Sequence, residues 1–124
     1  MEMRFFRCKK CGQMVAIVKK KGCPIMCCGE PMEEIVAGTS DGAAEKHVPV
    51  FEVKDNKVYV TVGAVEHPMS EEHYIEWIAV QTRGGNQRKA LKPNDAPKAV
   101  FALLEDDEVE AVYAYCNLHS LFKA

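Results

Sequence analysis

From residue 48 onward, hydrophobic and polar positions alternate with a period of two. Val58, Val60 and Val62 fall on one face of a segment whose Tyr59 and Thr61 fall on the other, and Ile75, Trp77 and Ala79 repeat the pattern within 73–82. Segments 48–53, 87–92, 99–104 and 108–115 have the same character, separated by turn-forming clusters at 54–56, 66–72, 83–86, 92–97 and 105–107. The pattern predicts an all-β unit of six or seven strands at the spacing of a β-sandwich. No segment sustains a helical period, and no internal repeat or low-complexity tract is present.

The first 37 residues read differently. Only 14–18 has strand character there, yet five of the six cysteines, Cys8, Cys11, Cys23, Cys27 and Cys28, fall in the first 28 residues. Cys8 and Cys11 flank a tight turn closed by Gly12, and fifteen residues later Cys27-Cys28-Gly29 offers a second pair. A hairpin between the pairs would gather four soft thiolates, a tetrahedral set for zinc or iron with no room for substrate. Adjacent ligands at Cys27 and Cys28 predict a distorted tetrahedron. So short a unit cannot bury a core, so metal–thiolate bonds take the place of packing. Cys23 reads as a spare, partly exposed thiol, with replacement of one of the four as the alternative. The breaker-rich stretch 38–42 marks a boundary between an N-terminal domain, 1–37, and a larger one, 38–124.

Composition narrows the partners. At 124 residues and 48% hydrophobic content, the chain has the size of one ordinary domain with a metal-stapled appendage. Its net charge of −2, with the signs interspersed, calls for neither nucleic acid nor an anionic membrane. The longest apolar run, 99–104, is far short of the roughly 20 residues that span a bilayer, and Met1-Glu2-Met3-Arg4-Phe5-Phe6 carries no signal-peptide core. A cytoplasmic protein is expected. Reductants there keep thiols free and favour metal ligation over disulfides.

The remaining cysteine, Cys116, stands three residues before His119 at the close of the last alternating segment. The other histidines, His47, His67 and His73, all sit at strand edges or in loops. Any one alone is read as a surface or core histidine; their joint placement is the signal. Four imidazoles and one thiolate suit a divalent transition metal and leave an octahedral ion one position for substrate. A thiolate opposite that position pushes electron density onto iron. Lys46, beside His47, would attract a small anion and stabilise negative charge, and Glu45 could cap the open position. The plainer reading of Glu45 and Lys46 is a solvated charge pair.

These residues carry a family resemblance over almost the whole chain. Cys8-x-x-Cys11, Cys27-Cys28-Gly29-Glu30-Pro31-Met32, 38–42, Glu45-Lys46-His47-Val48-Pro49-Val50, Val62-Gly63, His67-Pro68-Met69, His73-Tyr74-Ile75-Glu76-Trp77-Ile78, Leu91-Lys92-Pro93 and Tyr115-Cys116-Asn117-Leu118-His119 together resemble desulfoferrodoxin, the two-iron superoxide reductase family. The resemblance implies a rubredoxin- or desulforedoxin-like domain with iron held by Cys8, Cys11, Cys27 and Cys28. It implies an immunoglobulin-like β-sandwich with a catalytic iron, His47, His67, His73 and His119 equatorial and Cys116 axial. Lys46 matches the family's catalytic lysine, and Glu45 the glutamate that binds the oxidised iron. It further implies reduction of superoxide to hydrogen peroxide, rubredoxin or a similar protein as electron donor, and a homodimer. Cys23 is outside the family pattern. The rival readings are an iron electron carrier without substrate chemistry and a zinc-stabilised binding module.

Overall fold

The computed structural model describes residues 2–38 and 42–124 and divides the chain into two compact units, Met1–Val36 and Ala37–Ala124. Thr39, Ser40 and Asp41 of the breaker-rich stretch lie outside the described residues.

In the first unit, β1 (Arg4–Arg7) pairs antiparallel with β2 (Met14–Ile17). The short strands β3 (Met26–Cys27) and β4 (Glu30–Pro31) form their own ladder, and β5 (Glu33–Ile35) joins the other edge of β1, giving the order β2-β1-β5. Its small core gathers Phe6, Cys8 and Met32, with Val15, Ile17, Ile25 and Cys27 packed against them. The ion pair Arg4–Glu34 joins β1 to β5, and Lys9–Glu33 and Lys10–Glu30 tie the turn after β1 to β5 and β4; all three are solvent-screened and contribute little. So slight a core fits a unit whose cohesion depends on its thiols.

The second unit opens with a four-residue helical turn, α1 (Ala44–His47). Then come β6 (Pro49–Lys54), β7 (Lys57–Val62), β8 (Ile75–Thr82), β9 (Asn86–Ala90), β10 (Lys98–Ala102), β11 (Val109–Cys116) and β12 (Ser120–Lys123). They form sheets of order β10-β7-β6 and β12-β11-β8-β9, an immunoglobulin-like sandwich. Asp55 and Asn56, both with positive φ, make the two-residue turn that joins β6 to β7. Val58, Val60 and Val62 do what their spacing requires and meet Ile78, Val80, Val112 and Ala114 from the other sheet, with Phe101 closing the core. Of the face predicted for the next strand, Ile75 joins this core while Trp77 and Ala79 are buried outside it, because β8 is covered on both faces. Cys116 belongs to this core at 0% exposure, on the inward face of the last turn of β11. Among the described residues, no helix is long and apolar enough to cross a membrane.

Candidate metal centres

The thiols of Cys8, Cys11, Cys27 and Cys28 lie within 4.8 Å of one another. Cys8 leaves β1, and its carbonyl accepts the Gly12 N–H at 3.0 Å, in a turn that needs the +81° φ of Gly12. The adjacent pair is accommodated by the backbone: Cys28 takes φ +53° and Gly29 +74°, which swings the Cys28 sulfur to 4.0 Å from that of Cys27. Cys11 and Cys27 sulfurs stand 3.6 Å apart. Thiolates at 2.3 Å on the corners of a tetrahedron stand about 3.8 Å apart, so both separations fit one shared ion. Protonation runs the same way. The Cys11 backbone N–H holds Cys8 down to about 6, while hydrogen bonds with Cys8 and then Cys11 push Cys27 up to about 12. One thiolate forms and its neighbours keep their protons; a dication removes that conflict. All six cysteines are free, and Cys23 is exposed outside the group.

The second cluster is assembled from three separate parts of the chain. His47 ends α1, His67 and His73 lie on the connection between β7 and β8, and Cys116 and His119 flank the turn from β11 into β12. The His47 Nδ1 donates to the Ala43 carbonyl at 2.7 Å, and the His67 Nδ1 donates to the Pro68 carbonyl at 2.6 Å. A carbonyl only accepts, so each proton is on Nδ1 and each Nε2 is a bare lone pair. Those two Nε2 atoms nevertheless face each other at 3.1 Å. Burial opposes a proton between them, lowering His47 and taking His67 down to about 4. A metal cation is the remaining partner for both, and two nitrogens at right angles on one ion at about 2.1 Å are about 3.0 Å apart.

The other donors complete the set. His119 Nδ1 is 3.1 Å from His47 Nε2 and 3.9 Å from the Cys116 sulfur, and His73 Nε2 is buried without a hydrogen-bond partner. Neighbouring ring centroids are separated by 4.5 Å (47–67), 4.7 Å (67–73), 5.2 Å (73–119) and 4.8 Å (119–47), against 6.1 Å across from His47 to His73. The four imidazoles thus form a ring in that order. His47, His67, His73 and Cys116 bring their donor atoms within 4.8 Å of one another; His119 adjoins them through His47 and Cys116. Burial raises the Cys116 thiol, and the backbone N–H groups of His119 and Leu118 partly offset it.

Two family models account for the chain: residues 39–124 match desulfoferrodoxin, and residues 1–35 match the desulfoferrodoxin N-terminal domain. The chain belongs to the desulfoferrodoxin family. A desulfoferrodoxin homolog from Archaeoglobus fulgidus is 48% identical, the match covering 98% of this chain and 96% of the relative. The crystal structure of the superoxide reductase from Treponema pallidum matches 100% of this chain and 99% of its own at 40% identity, with a TM-score of 0.85. The superoxide reductase (1Fe-SOR) from Giardia intestinalis matches 64% of this chain and 95% of its own at 30% identity and a TM-score of 0.54.

Two glycines, Gly42 and Gly63, shape the histidine cluster. Gly42, read from sequence as part of a linker, packs so tightly that a Cβ there would lie 2.8 Å from the His119 Cβ and 3.1 Å from the His47 Cε1. Gly63, at the end of β7, lies under the turn that carries His47: a Cβ would meet the carbonyl oxygens of Glu45 and Val48 at 2.8 Å. Nothing in a single sequence separates a linker glycine from one pressed against an imidazole. Gly42→Ala is expected to weaken metal binding at the histidine cluster by about 10- to 100-fold, the scale of lost ligand support, and to leave the four-cysteine site unchanged. Chelator competition followed separately at the two sites checks this. Glu45 and Lys46 lie exposed on α1; burial lowers both His47 and His73, and the Lys46 charge adds a little in the same direction.

Proposed function

We propose that this protein is a superoxide reductase, with iron held by His47, His67, His73, His119 and Cys116 in the domain 38–124 and a second iron held by Cys8, Cys11, Cys27 and Cys28 in the domain 1–37. The observation that carries the reading is the pair of bare Nε2 atoms 3.1 Å apart inside a ring of four imidazoles, with a buried thiol beside them. Ferrous iron held by these residues would supply the one electron that, with two protons, converts superoxide to hydrogen peroxide.

The chain's own residues do the rest. The Ala43 and Pro68 carbonyls fix the tautomers and orientation of His47 and His67, leaving no proton to displace from either Nε2. Leu118 and His119 N–H groups stabilise the Cys116 sulfur as a thiolate in a site that burial would otherwise keep protonated. The exposed Lys46 draws the superoxide anion towards the cluster and offsets the negative charge that develops during reduction, and the neighbouring exposed Glu45 would supply a carboxylate ligand to the oxidised ion. The match of the Giardia protein to about two thirds of this chain supports catalysis by the larger domain alone, with the four-cysteine site as an auxiliary electron store. Iron rather than zinc is proposed at both sites, because only a redox metal serves the reaction. Rubredoxin or a similar small protein is the proposed donor, and the family resemblance supports a homodimer. Free cysteines throughout support the cytoplasm.

Iron analysis of the purified protein is expected to give two ions per chain, and rapid mixing of the reduced protein with superoxide a transient at the histidine site. Lys46→Ala should slow that transient about tenfold and flatten its dependence on ionic strength, as expected of a steering charge. A colourless, zinc-only protein, or iron-loaded protein with no transient, would overturn the assignment.

A further inference from the structure

His47 and His67 are each oriented by a hydrogen bond at the ring, from Nδ1 to a backbone carbonyl. Among the described residues His73 has no such support: its Nε2 is buried without a hydrogen-bond partner. Its place in the cluster therefore depends on how the backbone on either side is held. On the N-terminal side the hold is local, since Ser70 accepts the His73 N–H and donates to the His73 carbonyl within one tight turn. On the other side the hold comes from across the molecule. The Asn117 side chain accepts the Tyr74 N–H at 3.0 Å through Oδ1 and donates through Nδ2 to the Glu72 carbonyl at 3.0 Å, while the Asn117 N–H donates to the Tyr74 carbonyl at 3.2 Å.

Those three bonds bracket His73, one residue before it and one after. They all start from the residue that follows Cys116. A carboxamide supplies one acceptor and one donor on the same short stem; aspartate lacks the donor and leucine lacks both. We infer that Asn117 is the positioning residue for His73, taking the role that the Ala43 and Pro68 carbonyls play for His47 and His67 and tying the His73 loop to the residue after Cys116. The inference rests on the reading of His73 and Cys116 as ligands of one ion. Asn117 itself touches neither substrate nor metal; it acts through the backbone of residues 72–74.

The test uses full-length protein loaded with cobalt(II), whose visible bands report each site separately, and excess chelator. Asn117→Ala is expected to speed cobalt(II) release from the histidine site by about 10- to 100-fold, the range for lost ligand support, without changing release from the four-cysteine site or the melting temperature of the metal-free protein. Asn117→Asp, which keeps the acceptor for Tyr74 and loses the donor to Glu72, should fall between wild type and alanine. In a His73→Ala background, Asn117→Ala should add nothing, because its target is gone. Release at the wild-type rate from Asn117→Ala, or the same acceleration in both backgrounds, would overturn the inference. Wild-type protein that takes no cobalt(II) at the histidines would instead overturn the underlying ligand assignment. Where His73→Ala binds cobalt(II) too weakly to follow, the two single substitutions decide the matter.

Discussion

Cys116→Ser is expected to abolish the thiolate-to-metal absorption of the histidine site, leave that of the four-cysteine site intact, and cut superoxide reduction by more than about 100-fold, beyond the range seen for residues that only support a ligand. The argument is electronic first. A thiolate pushes charge onto the ion, and a serine hydroxyl at the same place stays protonated and pushes far less. The argument is also one of packing. Cys116 is fully buried in the sandwich core beside Ile75 and Ala114, where sulfur behaves as a small apolar group. A hydroxyl there keeps the Leu118 and His119 N–H groups as partners, so the folding cost should stay near the lower end of about 1–3 kcal/mol. The melting temperature of the metal-free variant should therefore fall only slightly while the spectrum changes completely. The visible spectrum and iron content check the first claim and a thermal melt the second; an unaltered spectrum would remove Cys116 from the ligand set.

The sandwich was legible where a strand buries one face and leaves a period-two trace, as β7 and β10 do. The segment around Val58, Val60 and Val62 became β7, and the one containing Ile75 and Trp77 became β8, with ends shifted by a residue or two. Elements without such a trace were missed. Strand β1 carries Phe5 and Phe6 side by side, both buried, which breaks alternation; β3 and β4 are two residues each, held by the turn around Cys28 and Gly29. The α1 turn is four residues with no side-chain cap, too short to show a helical period, and forms because Gly63 leaves space beneath it and the Val65 N–H bonds to the Glu45 carbonyl. The candidate ligands were legible by residue type and placement, since five cysteines crowd into the first 28 residues and the histidines sit at strand edges and in loops. Their supports were not: the carbonyls of Ala43 and Pro68 have no side-chain signature, and Asn117 gave no sign that its amide reaches residues 72 and 74.

Acidification should undo the histidine cluster in a defined window. Burial lowers His67 to about 4 from the usual 6.5, and lowers His47 and His73 as well. Between pH 6.5 and 4 the unfolded chain therefore binds protons that the folded chain refuses, so the histidine contribution to stability is complete above pH 6.5 and is lost as the pH falls towards 4. For His67 alone the loss in metal-free protein is on the order of 3 kcal/mol, at 1.36 kcal/mol per pKa unit. Glu76 works in the opposite sense, since burial raises its carboxyl and the folded state then holds an extra proton above pH 4.5, but it is one group against three. The depressed carboxyls of Glu33, Glu34 and Asp107 titrate lower and leave the window to the histidines. With metal bound the same protons compete for the lone pairs, and release from the histidine cluster should be steeper than one proton per ion. Urea unfolding of metal-free protein at pH 7, 6 and 5 should show stability falling step by step, with His67→Gln removing part of the slope. Equal stability at all three values would mean that these imidazoles are not held neutral by burial, and the case for a cation between them would lose its footing.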